Sequence, residues 1–442
     1  MEWCWWMGGF KYEYLDVPEA LPEGFDPDEY VVATYYVSLP AGLDANAVAQ
    51  AAAIEQSTGT WTPVPKETPE VKRKHAARVI GVYETPAHQW YLPKSVEERQ
   101  YIIQIAFPLV NLCGSQFPVL LATVAGNILA GGKIKLLDLA FPRKFIEGFK
   151  GAKFGIEGVR KILGVKDRPL INNMIKPCVY SPPDIGAELA YEVAAGGVDI
   201  IKDDELLADM DSNRVEDRVV KFMEAIDKAN EEKGEKTLYT VNITDRPSRV
   251  LELADRVIEL GGNALMVDAV PVGFETLRDL AEDPSINVPI LAHLPDFTGA
   301  IYMAPEYGLS SHLIMGKFPR IAGADIVVYP APYGKAPFLR ENYIRIAKEL
   351  RYPLYHLKKV FPMPSGGIIP SHVPLLVFDL GPDIVIGVGG GIHAHPQGPR
   401  AGAIAFRQAV DATMKGIPLE EAAKEHKELD VALKTWKTTK IV

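Results

Sequence analysis

A lysine followed by three consecutive acids, Lys202-Asp203-Asp204-Glu205, is the stretch of this chain whose residue types are best suited to chemistry. The mostly apolar run 198–201 leads into it, as in a buried parallel strand that ends in a polar site. Side chains alternate along a strand, so we expect Lys202 and Asp204 to point one way and Asp203 the other. Glu205, at the end of the strand, can turn back to join the first two.

These side chains predict a magnesium site if the lysine loses its positive charge. Carboxylates are hard oxygen ligands suited to Mg²⁺, which binds few protein oxygens and keeps positions open for substrate. Burial lowers the pKa of a lysine, and a neutral amine can add CO₂ to become an anionic carbamate, a third oxygen ligand. The alternative interpretation is a salt-bridge cluster at the rim of a barrel, without a metal.

The size and composition of the chain predict a soluble protein of two domains. Its 442 residues exceed one ordinary domain, and 48% hydrophobic with 24% charged residues is typical of globular proteins. A net charge of −10 without a basic block argues against a nucleic-acid partner, and no apolar run reaches membrane-spanning length. Three cysteines without a pairing pattern favour a reducing cytoplasm.

The first third of the chain mixes strands and helices without a regular alternation, which predicts an α+β domain spanning residues 1–147. We expect strands at 30–39, 76–83 and 101–106, and helices at 45–55 and 117–127.

The pattern of residues 148–442 is regular and predicts a (β/α)₈ barrel. Short apolar strands are expected at 170–176, 198–202, 237–243, 264–270, 288–293, 325–329, 361–365 and 383–388. Helical patterns between them include 185–195, 217–232, 246–260 and 341–350. Eight strand–helix units in roughly 270 residues match the usual size of this fold. The segment 418–436 is typical of an amphipathic helix packed back on the barrel.

Polar and small residues follow the predicted barrel strands, which is the end where the active site of this fold lies. They are Lys176, Lys202–Glu205, Asn242, His293, Ser365 and Gly389–Gly391. The turns Ser365-Gly366-Gly367 and Gly389-Gly390-Gly391 follow strands seven and eight, where barrel phosphate sites recur. Such turns let backbone N–H groups approach a phosphate, although each alone is also typical of a tight turn.

Lys176 follows the first barrel strand and is expected at the same end. It suits a Schiff-base nucleophile, a general base with a lowered pKa, or a cation that polarises a carbonyl, with a rim salt bridge as the alternative. His293, His393 and His395 lack the spacing of a zinc site, and we interpret them as groups that orient other side chains through hydrogen bonds.

Taken together, these residues resemble the RuBisCO large-chain superfamily. The segment 201–205 is similar to its carbamylated-lysine metal motif. Further segments are similar to family motifs, occur in the same order as in the family and cover the chain nearly end to end. They are 30–36, 55–62, 126–127, 175–177, 365–367 and 389–391.

The resemblance implies an N-terminal α+β (ferredoxin-like) domain, a TIM barrel, and a homodimer or higher homo-oligomer with active sites at the subunit interface. It implies that CO₂ carbamylates Lys202, which binds Mg²⁺ with Asp204 and Glu205, and that Lys176 acts as the base or stabilises the enol. Lys335 matches the mobile-loop lysine of the carboxylases, which implies a catalytic role for it beside Lys176 and Lys202. The residues implied in substrate and phosphate binding are Ser365, Gly366, Gly367, Gly389, Gly390 and His293, with Glu55, Thr60, Trp61 and Asn127 from the neighbouring subunit.

Several positions depart from the carboxylating members. Cys178 stands where they carry the second lysine of Lys-Pro-Lys, Pro295-Asp296 where they carry His-Arg, and Val328 where they carry a histidine. That arginine and the second histidine hold the second phosphate of ribulose bisphosphate, which Asp296 would repel. The sequence therefore predicts a site for one phosphate.

The stretches 292–293, 299–300, 329–334 and 389–398 are similar to the RuBisCO-like branch that enolises 2,3-diketo-5-methylthiopentyl 1-phosphate in methionine salvage. That branch carries a lysine, its proposed base, where this chain has Asn127, so Lys176 would abstract the proton here. We therefore predict Mg²⁺-dependent enolisation of a phosphorylated keto sugar. The alternatives are a lyase (a 3-oxo-sugar-acid phosphate decarboxylase or ribulose bisphosphate carboxylase), a catalytically silent binding or regulatory member, and a Schiff-base aldolase.

Overall fold

The computed structural model describes residues 26–60 and 62–436, which form two compact units. The first comprises the described residues up to Phe149 together with Gly299–Leu313, and the second comprises Lys150–Thr298 and the described residues from Ile314 onward. The sequence pattern assigns 299–313 to the second domain, whereas the structure groups it with the first unit, because its short strand joins the sheet of that unit.

The described residues form thirteen strands and nineteen α-helices, besides three short 3₁₀ helices and one π-helical turn. The strands are β1 (Tyr30–Pro40), β2 (Arg78–Glu84), β3 (Glu98–Pro108), β4 (Lys133–Ala140), β5 (Leu170–Met174), β6 (Ile200–Lys202), β7 (Leu238–Asn242), β8 (Ala264–Asp268), β9 (Ile290–His293), β10 (Gly308–Leu309), β11 (Ile326–Pro330), β12 (Phe361–Ser365) and β13 (Val385–Val388). The helices are α1 (Ala45–Glu55), α2 (Pro69–His75), α3 (Phe117–Ala125), α4 (Asn127–Ala130), α5 (Arg143–Ile146), α6 (Gly155–Leu163), α7 (Pro183–Ala195), α8 (Val215–Lys233), α9 (Pro247–Glu259), α10 (Ala269–Val272), α11 (Phe274–Glu282), α12 (Pro295–Tyr302), α13 (Phe318–Ala322), α14 (Arg340–Arg351), α15 (Val373–Leu380), α16 (Gly390–His393), α17 (Pro399–Met414), α18 (Leu419–Ala422) and α19 (Lys427–Thr435).

The first unit is built on a mixed five-stranded sheet with the order β10-β4-β1-β3-β2. Strand β1 lies at its centre and is antiparallel to both β3 and β4, while β10 is parallel to β4. Val31, Ala33 and Tyr35 alternate with half-buried residues along β1, so one face of the strand is fully covered. The strand β4 was not predicted, because Lys133 and Lys135 interrupt its apolar pattern.

The second unit contains eight parallel strands in the order β12-β11-β9-β8-β7-β6-β5-β13 and is a (β/α)₈ barrel, as predicted. Each predicted barrel strand is present, with ends that differ by at most two residues. Apolar side chains from these strands and from α6 fill the core, which includes Val159, Leu170, Ile200, Met266, Leu291, Val328, Phe361 and Met363. This packing fixes the strand ends on which the polar residues lie.

The last part of the chain differs from its prediction as one helix over 418–436. It forms α18 and α19 with a break between them. Leu419 and Leu429 are buried, and the main-chain N–H of Leu429 donates to the side chain of Gln408 on α17. Within residues 26–60 and 62–436, no helix is long and apolar enough to cross a membrane.

Candidate active site at the carboxyl ends of the barrel strands

Lys202 is the last residue of β6, and its side chain is completely buried. Its Nζ donates a hydrogen bond of 2.6 Å to the main-chain oxygen of Asp203 and lies 3.5 Å from Oε2 of Glu205. Glu205 is 29% exposed, so it borders the open end of the barrel. The structure thus buries the amine that the sequence predicts to be modified and places a carboxylate beside it.

Asp203 points to the opposite side of the strand, as the alternation predicts. Its carboxylate accepts hydrogen bonds from Nε of Arg218 (3.1 Å), the hydroxyl of Tyr239 (2.8 Å) and the main-chain N–H of Asn242 (3.0 Å). Asp203 and Arg218 are both fully buried. The sequence pattern does not indicate Arg218, which lies on α8, fifteen residues beyond its partner.

Lys176 contacts Asp204 across the ends of β5 and β6. Its Nζ forms an ion pair with Oδ2 of Asp204 and lies 3.1 Å from Sγ of Cys178. Burial alone would lower the pKa of Lys176, but the hydrogen bonds to Asp204 and Cys178 outweigh it, and the pKa is raised. The structure thus brings Lys176 to the predicted metal motif and leaves it protonated.

A second group of ionisable side chains surrounds His293 at the end of β9. Its Nε2 lies 3.6 Å from Oε2 of Glu205, and its Nδ1 bonds to Asp296 and lies 3.8 Å from Oδ1 of Asp268. Burial and the charge of Lys202 lower the pKa of His293, so its ring is neutral at pH 7. Burial and the neighbouring Asp296 raise the pKa of Asp268 to about 8.

The donors around Lys202 fit a divalent cation. Oε2 of Glu205 and Oδ1 of Asp268 are buried without a hydrogen-bond partner in the part of the chain that the structure describes. One ligand atom each from Glu205, His293 and Asp296 lies within 4.8 Å of the others. Buried carboxylate oxygens that lack donors are stabilised by a hard cation such as Mg²⁺. These oxygens lie beside Lys202, whose amine a carbamate would convert into a further oxygen ligand.

The turns after β11 and β12 pack directly on each other. The main-chain N–H of Lys335 donates to the oxygen of Gly366 at 2.8 Å, and a Cβ added to Gly334 would lie 1.8 Å from that oxygen. Gly366 and Gly367 have φ values of 96° and 81°, which only glycine adopts easily. The buried Ser365 accepts the N–H of Ala331, so Ser365, Gly366, Gly367 and the exposed Lys335 share one edge of the barrel.

The glycine turn after β13 lies beside Lys176. A Cβ on Gly389 would come within 3.1 Å of Cε of Lys176, whereas one on Gly390 would meet no atom within 4 Å. Nε2 of His393 is 3.1 Å from Oδ1 of Asn173 on β5. Burial and the charge of Lys176 lower the pKa of His393 to about 4, so His393 orients its neighbour as a neutral ring.

The residues predicted to come from a neighbouring subunit lie in the first unit. Glu55 ends α1, Thr60 follows in the next loop, and Asn127 begins α4, whereas Trp61 lies outside the described residues. Oε2 of Glu55 is buried and has no hydrogen-bond partner among the residues that the structure describes. Their role at the active site of a second chain stays a prediction.

The structure shows the surroundings of Val328 and Asp296, two residues that differ from those of the carboxylating members. Val328 packs inside the barrel core, and Asp296 bonds to His293 instead of standing alone at the edge of the site. Asp268 was missed, although its position as the last residue of β8, after an apolar run, is the same signal that identified Lys202.

A sequence model described as the catalytic domain of the ribulose bisphosphate carboxylase large chain matches residues 155–436, and one for its N-terminal domain matches residues 22–145. The chain belongs to the RuBisCO large-chain family. The family and fold expected from the sequence are therefore confirmed.

Known RuBisCO-like proteins resemble this family member over nearly its whole length. A ribulose bisphosphate carboxylase-like protein of Archaeoglobus fulgidus is 62% identical over 94% of this chain and 95% of its own. A 2,3-diketo-5-methylthiopentyl-1-phosphate enolase of Geobacillus thermodenitrificans is 40% identical over 92% and 98% of the two chains. The crystal structure of a RuBisCO-like protein from Alicyclobacillus acidocaldarius covers 93% of this chain and 100% of its own, with a TM-score of 0.85 and 38% identity.

Proposed function

We propose that this family member is an Mg²⁺-dependent enzyme that enolises a phosphorylated keto sugar, in the manner of the 2,3-diketo-5-methylthiopentyl-1-phosphate enolases. The observation that carries the proposal is the fully buried amine of Lys202, 3.5 Å from a carboxylate oxygen of Glu205 that has no hydrogen-bond partner among the described residues. Its contacts with Nζ of Lys202 (3.5 Å) and Nε2 of His293 (3.6 Å) are ion-pair contacts without a hydrogen bond, so this buried oxygen can still act as a metal ligand.

The metal ligands in this proposal are Lys202 as its carbamate, Asp204 and Glu205. When bound, Mg²⁺ supplies a Lewis acid that polarises adjacent substrate oxygens and stabilises the charge of an enediolate. His293 lies on the far side of Glu205 and, with Asp296, restrains the direction in which that carboxylate can turn.

The chain's other residues bind the substrate and move its proton. Lys176 lies next to the metal motif, and its ammonium would first lose a proton to solvent when Asp204 no longer raises its pKa. The neutral amine would then accept the proton adjacent to the carbonyl. Ser365, Gly366 and Gly367 offer main-chain donors to the phosphate on one side, and Gly389 and Gly390 on the other. Binding energy from the phosphate then aligns the reacting carbon with Lys176.

The substrate assignment within this chemistry rests on charge. Asp296 and Val328 stand where the carboxylases carry cationic groups for a second phosphate, and neither can bind a dianion. A monophosphate therefore fits better than ribulose bisphosphate. A decarboxylase of a 3-oxo-sugar-acid phosphate would use the same enediolate chemistry and is the second candidate. The buried oxygen of Glu205 that has no hydrogen-bond partner among the described residues argues against a silent binding subunit.

An ultraviolet assay with Mg²⁺ and bicarbonate tests the proposal. It offers 2,3-diketo-5-methylthiopentyl 1-phosphate and, in parallel, ribulose bisphosphate with radiolabelled CO₂. We expect the enol absorbance to rise without incorporation of label. Lys202→Ala should abolish the signal without unfolding the barrel, whereas Lys166→Ala, at the opposite end of the barrel, should leave it unchanged. Incorporation of label with no enol signal would contradict the proposal, as would full activity of Lys202→Ala.

The proposed assembly is a homodimer whose active sites combine Lys202 of one chain with Glu55, Thr60, Trp61 and Asn127 of the other. Among the structural relatives, a RuBisCO of Hyperthermus butylicus is described as dimeric and that of Pyrococcus horikoshii as octameric. Mixing inactive Lys202→Ala with inactive Asn127→Ala chains, after dissociation and reassembly, should restore activity, because one site of each mixed dimer is intact. No recovery in mixed dimers would argue that each chain builds its own site.

A further inference from the structure

The ion pair between Asp203 and Arg218 lies directly behind the metal motif and is buried on all sides. We infer that Arg218 is a positioning residue of the metal site: through Asp203 it fixes the strand end that carries Lys202, Asp204 and Glu205. The inference rests on the proposed function, since it assigns Arg218 a task in holding those three ligands.

Arg218 is itself held rigidly by the segment that follows the motif. Its Nη1 donates to the main-chain oxygen (2.9 Å) and side-chain oxygen (3.2 Å) of Asn213, and its Nη2 donates to the oxygen of Leu207 (3.4 Å). Nδ2 of Asn213 in turn donates to the oxygen of Tyr180 at 2.9 Å. The guanidinium therefore connects α8 to the loop that follows β6 and, through Asn213, to the loop that follows β5. Its Nη atoms are held by these oxygens, which fixes the position of the Nε that donates to Asp203.

The carboxylate of Asp203 transmits this constraint to the ligands. Besides Arg218, it accepts the hydroxyl of Tyr239 and the main-chain N–H of Asn242. Nδ2 of Asn242 donates to the main-chain oxygens of Asp204 and Glu205, each at 3.2 Å. Because neighbouring residues of an extended chain face opposite ways, a backbone rotation that released Asp203 would also turn the residues beside it.

Stability alone does not account for the pair. Burying two charges costs desolvation energy that an apolar pair of the same size avoids, so a buried ion pair is weak evidence for stabilisation. The other end of the same strand already has an anchoring pair, because Asp199 bonds to both Nη atoms of Arg168 at 2.7 Å. The pair at Asp203 differs because Asp203 lies between the proposed ligands Lys202 and Asp204 in the chain. The pair at Asp199, which precedes β6, therefore serves as a matched control.

The test uses the intact protein and measures metal-site assembly directly. Arg218→Lys keeps the charge but loses the fork, and Tyr239→Phe removes one hydrogen bond to Asp203 while retaining the ring that stacks on Phe222 at 4.5 Å. Each variant is compared with the wild type for retention of radiolabelled CO₂ on Lys202 and for Mn²⁺ affinity by electron paramagnetic resonance. Outer-shell substitutions of this kind typically weaken metal affinity about 10- to 100-fold, and we expect that loss in Arg218→Lys.

Arg168→Lys separates positioning from general destabilisation. It should lower the melting temperature while leaving CO₂ retention and Mn²⁺ affinity at wild-type values. Wild-type affinity in both Arg218→Lys and Tyr239→Phe would overturn the inference, as would an equal loss in Arg168→Lys. If the wild-type protein binds Mn²⁺ without retaining CO₂, the carbamate proposal fails, while a lower Mn²⁺ affinity in Arg218→Lys still supports positioning. A wild type that binds neither would refute both.

Discussion

The amine of Lys176 is ion-paired with Asp204, one of the proposed metal ligands, whose side chain is 1% exposed. The two residues follow neighbouring parallel strands, β5 and β6, which places them side by side. Their contact links the two halves of the proposed chemistry, because the carboxylate that would bind the metal now holds the proton of the proposed base. In the proposed site, metal binding and activation of Lys176 would therefore be coupled.

Mg²⁺ should release Lys176 and make its amine more reactive. Burial lowers the pKa of Lys176, and the hydrogen bond to Asp204 is the largest contribution that raises it. When Mg²⁺ occupies Asp204, the lowering effect remains and the neutral fraction increases. We expect Mg²⁺ with bicarbonate to speed reductive methylation of Lys176 several-fold at about pH 8, as measured by peptide mass spectrometry. Asp204→Asn should have this effect without metal, and the exposed Lys166, at the opposite end of the barrel, serves as the control. Protection of Lys176 by Mg²⁺ would contradict the coupling.

Substitution of Lys176 distinguishes a base from a charge partner. Lys176→Arg preserves the positive charge beside Asp204 but cannot accept a proton near neutral pH. Loss of a general base costs about 10²- to 10⁴-fold in rate, and we expect that reduction in kcat for Lys176→Arg and Lys176→Met in the enolisation assay. Retention of radiolabelled CO₂ should persist in Lys176→Arg. A kcat near the wild-type value in the arginine variant would show that Lys176 serves as a cation only.

The barrel could be predicted because its strands follow from local periodicity. The same periodicity predicted the face of β6 on which each side chain of the metal motif lies. Alternation along β6 placed Lys202 and Asp203 on opposite faces, and apolar runs of the expected length located all eight strands. The strand β4 could not be predicted in this way. Its Lys135 is buried and donates to the main-chain oxygens of Tyr302 and Ala304, so a residue that the sequence presents as polar lies in a covered position.

The parts of the site that were missed depend on contacts between distant elements. Arg218 lies within a helix whose sequence is typical of any surface helix, and only the fold shows that its guanidinium faces Asp203. The position of Asp296 was interpreted from the residue it replaces, as a charge facing a phosphate. In the structure Asp296 bonds to His293, and Asp296 and Phe297 have non-helical backbone angles at the beginning of α12.

The contact between the turns after β11 and β12 should be necessary for phosphate binding. A methyl group on Gly334 would overlap the oxygen of Gly366, so Gly334→Ala must separate the two turns. We expect KM for the phosphorylated substrate to rise about tenfold, with a smaller change in melting temperature. Gly42→Ala is the matched control, since a Cβ there meets no atom within 4 Å. An unchanged KM in Gly334→Ala would mean that this edge does not hold the phosphate.

His372 should make the folded state less stable in mild acid. It is 1% exposed, its Nε2 has no partner within the described residues, and burial lowers its pKa to about 4. The unfolded chain, with a histidine pKa of about 6.5, binds more protons between pH 6.5 and 4. The free energy of unfolding therefore falls as the pH decreases through this window, and above it His372 has no pH-dependent effect.

Removing the ring tests this account in urea unfolding experiments at a series of pH values. His372→Leu should reduce the loss of stability between pH 6.5 and 4 by on the order of 2 kcal/mol, the free energy that corresponds to such a shift after partial relaxation. The exposed His426, at the beginning of α19, provides the control, and His426→Gln should leave the pH dependence unchanged. If His372→Leu and the wild type lose stability in parallel as the pH falls, the ring is protonated at no cost, and another buried group, such as His393, must account for the acid sensitivity.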